Sequence, residues 1–117
     1  MPICKIKTNY KMSCEIKKVF ADKIAENVSG ILEKPIQAVM VMLSDEYMYM
    51  NKCDDTVLFA EFRYVRNFES PQEKEYFLKE FSNKMLKIFM EFMSVDPYRV
   101  YMQFTEMPRD GAWRYVK

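Results

Sequence analysis

The most reactive group this sequence can offer lies at its beginning. Methionine followed by the small residue Pro2 is a pair from which the first residue can be removed, and removal leaves Pro2 as a secondary amine at the chain terminus. An α-amino group titrates near ~7.7–8.0 in free peptides, and an apolar surround lowers that value by disfavouring the cation. A neutral amine at pH 7 can act as a general base. Alone the pair is a weak signal, because proline is about 5% of residues and a Met-Pro start arises by chance about one time in twenty. Lys34 is the second candidate. It stands just before the second strand of a β-α-β unit, which lies beside the first, so its ammonium could approach the terminal amine. There it would bind a carboxylate or an enolate and depress the proline pKa further. A lysine before proline is otherwise a solvated loop residue.

The rest of the composition narrows the chemistry. The chain has 117 residues, 18 basic and 17 acidic, and no histidine. Without imidazole, the Ser-His-Asp and Cys-His systems and most zinc sites are excluded. A net charge of +1 supplies no overall field for a phosphate backbone, so no nucleic-acid partner is expected. Cys4, Cys14 and Cys53 form no Cys-x-x-Cys pair and read as reduced thiols of a cytoplasmic protein. Lys5, Lys7 and Lys11 stand where a signal peptide needs an apolar run, and no segment approaches a membrane span, so no membrane insertion is expected. The acidic residues between positions 45 and 55 read as a solvated loop, and neither a metal nor a cofactor is expected.

The elements that must position Pro2 and Lys34 follow from periodicity. Ile3 to Thr8 alternates as a strand, with Cys4, Ile6 and Thr8 on one face. Ser13 can cap a helix with Glu15 in its first turn, along which Ile16, Val19, Phe20, Ile24, Val28 and Ile31 recur at steps of three and four, and Gly30 lies near its expected stop. Residues 38–43 are nearly continuous apolar sequence, the mark of a strand buried on both faces. Residues 44–55 read as a polar connection with a short extended piece, and residues 56–65 as the next strand. Ser70-Pro71-Gln72-Glu73 starts a second helix, which Phe77, Phe81, Met85, Ile88 and Phe92 carry forward, with Glu75–Lys79 and Glu80–Lys84 as exposed pairs. Asp96-Pro97 ends the helical region and residues 99–106 form the fourth strand. Aligning Pro35 with Pro97, 62 positions apart, overlays Ala38, Met40 and Met42 on Val100, Met102 and Phe104. The expected fold is α+β: one domain over residues 1–117, a duplicated β-α-β with a four-stranded mixed sheet and two helices on one face. Strands this apolar leave a bare sheet face that an oligomer would cover.

At this point the chain resembles the macrophage migration inhibitory factor branch of the tautomerase superfamily over nearly its whole length. The residues that carry the resemblance are Met1-Pro2, Thr8-Asn9, Lys34-Pro35, Ser70-Pro71-Gln72, the run Pro97-Tyr98-Arg99-Val100-Tyr101, and Trp113. The resemblance implies a homotrimer in which processed Pro2 is the general base, moving a proton between carbon and oxygen of an α-keto acid such as phenylpyruvate, or of a dopachrome-like substrate. It implies that Lys34 holds substrate oxygens with a backbone amide near Val65. Tyr101 would arrive from a neighbouring subunit, Gln103 stands where the family commonly has asparagine, and Trp113 lies beside the pocket and the subunit contact. The sequence departs from the family pattern at Met48-Tyr49-Met50-Asn51 and Arg66, where glycines are usual, and at its ending, Arg114-Tyr115-Val116-Lys117.

Three readings remain. The first is a cytokine-like tautomerase, active once Met1 is gone and cytoplasmic or secreted without a signal peptide, with a cell-surface receptor as a further partner. The second is a non-catalytic trimer that binds proteins. The third is a hydrolytic relative using Arg63, Arg66 and Arg99, of which Arg99 belongs to the shared run and reads as structural.

Overall fold

A computed structural model describes residues 1–116, so Lys117, the last residue of the departing ending, lies outside the described residues. Four strands and two long helices are present in chain order: β1 (Ile3–Thr8), α1 (Cys14–Leu32), β2 (Met40–Asp45), β3 (Leu58–Tyr64), α2 (Pro71–Phe92) and β4 (Val100–Glu106). The sheet order is β2-β1-β3-β4. β1 runs parallel to β2 and β3 to β4, while the two halves meet through the antiparallel β1/β3 ladder. This is the duplicated β-α-β expected from the sequence. None of the described helices is long and apolar enough to cross a membrane.

Both helices lie on the face that buries Cys4, Ile6, Ala60 and Phe62. Helix α1 starts where Ser13 Oγ accepts from Ile16 N, at 3.2 Å. It does not stop at Gly30, because Phe20, Ile24, Val28 and Leu32 continue one buried stripe at four-residue steps. Glu33 instead ends it in the left-handed region, at φ 55°. Ile16 and Val19, expected on the apolar face, are exposed. Helix α2 begins as expected, with Ser70 Oγ accepting from Glu73 N at 3.1 Å and the Glu73 carboxylate accepting from Glu69 N at 2.8 Å. The expected Glu75–Lys79 and Glu80–Lys84 pairs are not among the ion pairs of the described residues; Lys23–Glu91, at 2.7 Å, ties α1 to α2 instead.

Two expectations about the strands are corrected. The apolar run 38–43 is not a strand buried on both sides: Ala38 ends a 3-10 turn, β2 begins at Met40, and this edge strand leaves Met40 and Met42 55% and 40% exposed. The internal match is also displaced by one residue. Asp96 caps the second 3-10 turn by accepting from Tyr98 N, which makes Pro97 its first residue, whereas Pro35 precedes its own turn. Hence Val39, Val41 and Leu43 are the true counterparts of Val100, Met102 and Phe104, and all six pack on the core. A slip of one residue exchanges sheet faces.

The open face of the sheet is less apolar than expected. The ladder registers place Ile3, Lys5 and Lys7 there beside Met40, Met42 and Ser44, with Phe59, Glu61 and Arg63 and then Tyr101, Gln103 and Thr105 on the other side. Glu61 is nearly buried, accepting from Arg63 Nε at 3.1 Å and from Thr105 Oγ1 at 3.4 Å. The Arg63 hydrogen bond holds its carboxyl below the usual range.

The 44–55 connection contains one isolated bridge, Met50 to Cys53, turned by Asn51 and Lys52 in the left-handed region. Arg99 organises it. Its guanidinium donates to the carbonyls of Met50 (2.7 Å), Cys53 (3.3 Å), Asp55 (2.9 Å) and Thr56 (3.1 Å). Arg99→Met keeps much of the stem and removes every donor, so it should lower stability at fixed protein concentration by about 2–3 kcal/mol. Urea denaturation followed by circular dichroism measures the change; a loss below about 0.5 kcal/mol would mean that the loop holds itself.

Candidate active site

Three chain segments converge where β1 begins. Pro2 is fully buried, and its carbonyl accepts from Met40 N at 3.0 Å, which ties the terminus to the start of β2. Lys34 is placed by the end of α1: after the left-handed Glu33, its N–H donates to Ser29 O at 3.1 Å, and its own carbonyl accepts from Ser29 Oγ at 2.5 Å. The third segment leaves β4, where Met107 N donates to Tyr64 O at 2.7 Å, and turns through Arg109–Gly111. Gly111 is needed in that turn, since a β-carbon there would stand 2.9 Å from the Pro108 ring. The chain then crosses the end of the sheet to bring Trp113, Arg114 and Tyr115 against Met1, Pro2 and Ile3.

Between these segments lies a cavity of about 480 Å³ whose wall is completed by Gln37, Ala38, Val39 and Met40. That volume suits a small organic molecule. The terminal amine, on Met1 in this chain, is held below its ordinary value of 8.0 by burial first and then by the positive charges of Lys34, Arg114 and Arg109. While Met1 is attached, the Pro2 nitrogen is an amide with no basic lone pair.

Of the residues singled out from the sequence, Pro2 and Trp113 line the cavity, and Lys34 acts on its amine through charge. Val65 follows β3 at the same end of the sheet, beyond the Ile3–Arg63 rung, but does not line the cavity. Tyr101 and Gln103 are elsewhere. Thr105 shares the rung of Ile3 and Arg63, and Tyr101 lies four residues before it and two strands from β1. At ~3.3 Å per residue and ~4.8 Å per strand, that separates Tyr101 from Ile3 by roughly 16 Å. One chain alone does not bring it to Pro2.

The arginines expected of a hydrolytic site are engaged elsewhere. Arg63 pairs with Glu61, Arg99 serves the loop, and the Arg66 guanidinium lies 4.5 Å from the centre of the Phe77 ring on the helix side. The change at Arg66 therefore leaves the cavity wall untouched. The cations that sequence reasoning missed are Arg114, which lines the cavity, and Arg109, which does not line it but acts on the amine through charge. The signal available for them was the Pro108-Arg109-Asp110-Gly111 turn preceding Trp113-Arg114. Thiol chemistry has no place here, since burial pushes Cys4 up to about 12, and Cys14 and Cys53 are free thiols outside the cavity lining.

The family profile described as macrophage migration inhibitory factor matches residues 1–113. The chain belongs to that family. No curated protein matches the sequence significantly. Among solved structures, the fold is similar to the macrophage migration inhibitory factor-like protein of Entamoeba histolytica, with TM-score 0.83, 18% identity, and 98% of this chain and 95% of that chain covered. It is likewise similar to the factor from Oncomelania hupensis, with TM-score 0.83, 20% identity, and 97% and 79% covered. The homologue from Prochlorococcus marinus gives TM-score 0.80 at 15% identity, with 96% and 95% covered. At these identities the structural matches speak for the fold alone.

Titration of the α-amine in the Met1-bearing chain, by competitive labelling across pH, is expected to give a midpoint below 8.0. Lys34→Ala should raise that midpoint, because removing a neighbouring cation removes a penalty on the ammonium. An unchanged midpoint would show that Lys34 is too well solvated to act on the amine.

Proposed function

We propose that the chain, once Met1 is removed, is a cofactor-independent tautomerase for small α-keto acids of the phenylpyruvate type, with Pro2 as general base. The observation that carries this reading is a fully buried Pro2 at the wall of a mainly apolar cavity whose terminal amine is already depressed by burial and by Lys34. In the processed chain the same surroundings would act on the proline nitrogen. The base takes a proton from the carbon next to the ketone, the C–H electron pair passes into the enolate, and the proton is returned to oxygen as the enol forms. Lys34 opposes the negative charge that develops on the oxygen, and a backbone amide near Val65 assists.

The oligomer belongs to the same proposal. The distance of Tyr101 and Gln103 from Pro2 within one chain, together with the exposure of Tyr101, Met40 and Trp113, fits a homotrimer in which a neighbouring copy brings Tyr101 and Gln103 to the cavity. Cytokine-like action through a receptor is the further reach of this reading.

The test uses Met-free protein, verified by intact mass and shown to be trimeric by light scattering. Phenylpyruvate tautomerisation should fall at least about a hundredfold in Pro2→Gly and about tenfold in Lys34→Ala, in keeping with loss of a base or of one electrostatic contact. The Met1-bearing form should be inactive. The neutral amine exists above its pKa, so kcat/KM should rise with pH to a plateau reached below the range of an ordinary α-amine, and Lys34→Ala should move the rise to higher pH. No activity in processed trimer would sink the proposal for these substrates and leave the protein-binding trimer.

A further inference from the structure

Buried polar side-chain atoms almost always have a hydrogen-bond partner, and each exception needs a physical reason. Among the described residues two are without one: the Tyr64 hydroxyl and the Arg66 Nε. They belong to one cluster. The Arg66 guanidinium carbon lies 4.5 Å from the centre of the Phe77 ring and 5.7 Å from that of Phe68, and the Tyr64 ring meets the same Phe77 edge-on at 6.0 Å. Tyr64 is 1% exposed and opposes Glu106 on the β3/β4 ladder, so both side chains leave the sheet on the helix face. Burial pushes the Tyr64 hydroxyl up to about 12, with Glu106 adding to the rise and Arg66 opposing it, as expected where both charges are close. Both orphaned atoms can donate, so the group that satisfies them is an acceptor and not an amine.

Arg66 and Glu106 line a second cavity, of about 740 Å³, whose wall is completed by residues 67–71 and Lys74. It shares no residue with the cavity at Pro2. Most polar groups around it are already engaged: Lys74 Nζ holds Glu106 at 2.6 Å, Ser70 Oγ accepts from Glu73 N, and Glu69 N donates to the Glu73 carboxylate. Arg66 is different. It enters none of the ion pairs among the described residues, and the contact with Phe77 offsets part of its charge without giving Nε an acceptor.

We propose that this second cavity binds a carboxylate on a ligand with a small apolar body, with Arg66 taking the carboxylate and Phe68 and Pro71 flanking the body. The two oxygens of a carboxylate match the planar fork of a guanidinium through parallel hydrogen bonds. A single negative charge is the limit, because Glu106 is balanced by Lys74 while Glu69, also on the wall, enters no ion pair among the described residues and would repel a phosphate dianion. The start of α2 adds its positive end, a minor contribution since the amides of Glu69 and Glu73 are already bonded. The carboxylate can belong to a free organic acid or to the end of a polypeptide, and the same contact serves both. No part of this rests on chemistry at Pro2.

The experiment titrates the isotope-labelled full chain with benzoate, benzamide, inorganic phosphate and the dipeptide N-acetyl-alanyl-phenylalanine, and follows by NMR the Arg66 Nε–H and the backbone amides of Asn67 and Lys74. These signals report this cavity and not the one at Pro2. Benzoate should shift all three with half-saturation at about 1–10 mM, as one charge-assisted contact at an open site allows. Benzamide, of the same shape without the charge, should leave them in place. Arg66→Gln should weaken benzoate at least about tenfold at the two amides, and Arg66→Lys should recover only part of the loss because lysine lacks the fork. Lys74→Gln, which releases Glu106, should weaken it as well. Circular dichroism checks that each variant is folded, and the wild-type shifts carry the test where one is not. Signals unmoved by about 50 mM benzoate, an equal response to benzamide, or undiminished binding in folded Arg66→Gln overturns the proposal. Phosphate binding more tightly than benzoate overturns the singly charged class. With benzoate bound as expected, a dipeptide at least about tenfold tighter assigns the site to a chain end, and equal affinities assign it to a free acid.

Discussion

One guanidinium anchors the connection between the two halves of this protein, where hydrophobic burial cannot. Arg99 sits at the entrance to β4, nearly buried, and gives its donors to carbonyls between residues 50 and 56. From the other half, Thr8 Oγ1 donates to Val57 O at 2.7 Å, and Asn9 grips Asp54, Asp55 and Val57 through its amide. The connection between the repeats is thus clamped from β1 and from β4 at once. Its backbone carries left-handed residues and no ladder, so these side chains provide much of its hydrogen bonding. The clamp fixes the chain immediately ahead of Leu58, the residue at which β3 takes up its registers with Thr8 of β1 and Val100 of β4.

Those registers decide what meets at the other end of the sheet. The starts of β1 and β2 and the end of β3 lie together, and the segment after β4 returns across them to close the cavity over Pro2. The antiparallel centre matters: with β1 and β3 parallel, the end of β3 and the chain leaving β4 would be at the far end from the terminus. The same geometry leaves Tyr101 out of reach, so in a single chain the cavity remains walled on one side by exposed Trp113. Burial and like charge act in the same direction on the amine, and both lower its pKa.

The sheet's open face shows how a reading by composition differs from a reading by register. The strands are rich in apolar residues, yet alternation sends most of them toward the helices and leaves Lys5, Lys7, Glu61 and Arg63 on the open side. Its centre is polar, and only its edges, Met40, Met42 and Tyr101, present large exposed apolar groups. The one-residue error in matching Pro35 to Pro97 has the same root. Proline marks the approach to both strands, but Asp96 caps one 3-10 turn from outside while Pro35 stands in that outside position itself. Faces invert with every residue, so a landmark good to one position is too coarse to assign them.

The sequence by itself determined the local order of this protein. Alternation in β1, the four-step stripe of α1, the Ser70-Pro71 start of α2 and the duplication were all legible, because each depends on near neighbours in the chain. Met-Pro and Lys34-Pro35 also marked the base and its cation as candidates. What only the tertiary structure decided was which groups share a space: that Arg66 lies over Phe77, that Tyr101 is far from Pro2, and that Arg114 stands at the cavity. These relations join residues up to the full length of the chain apart. They depend on strand order, on register and on the path of an irregular segment with no periodicity of its own, and no local pattern encodes such a path.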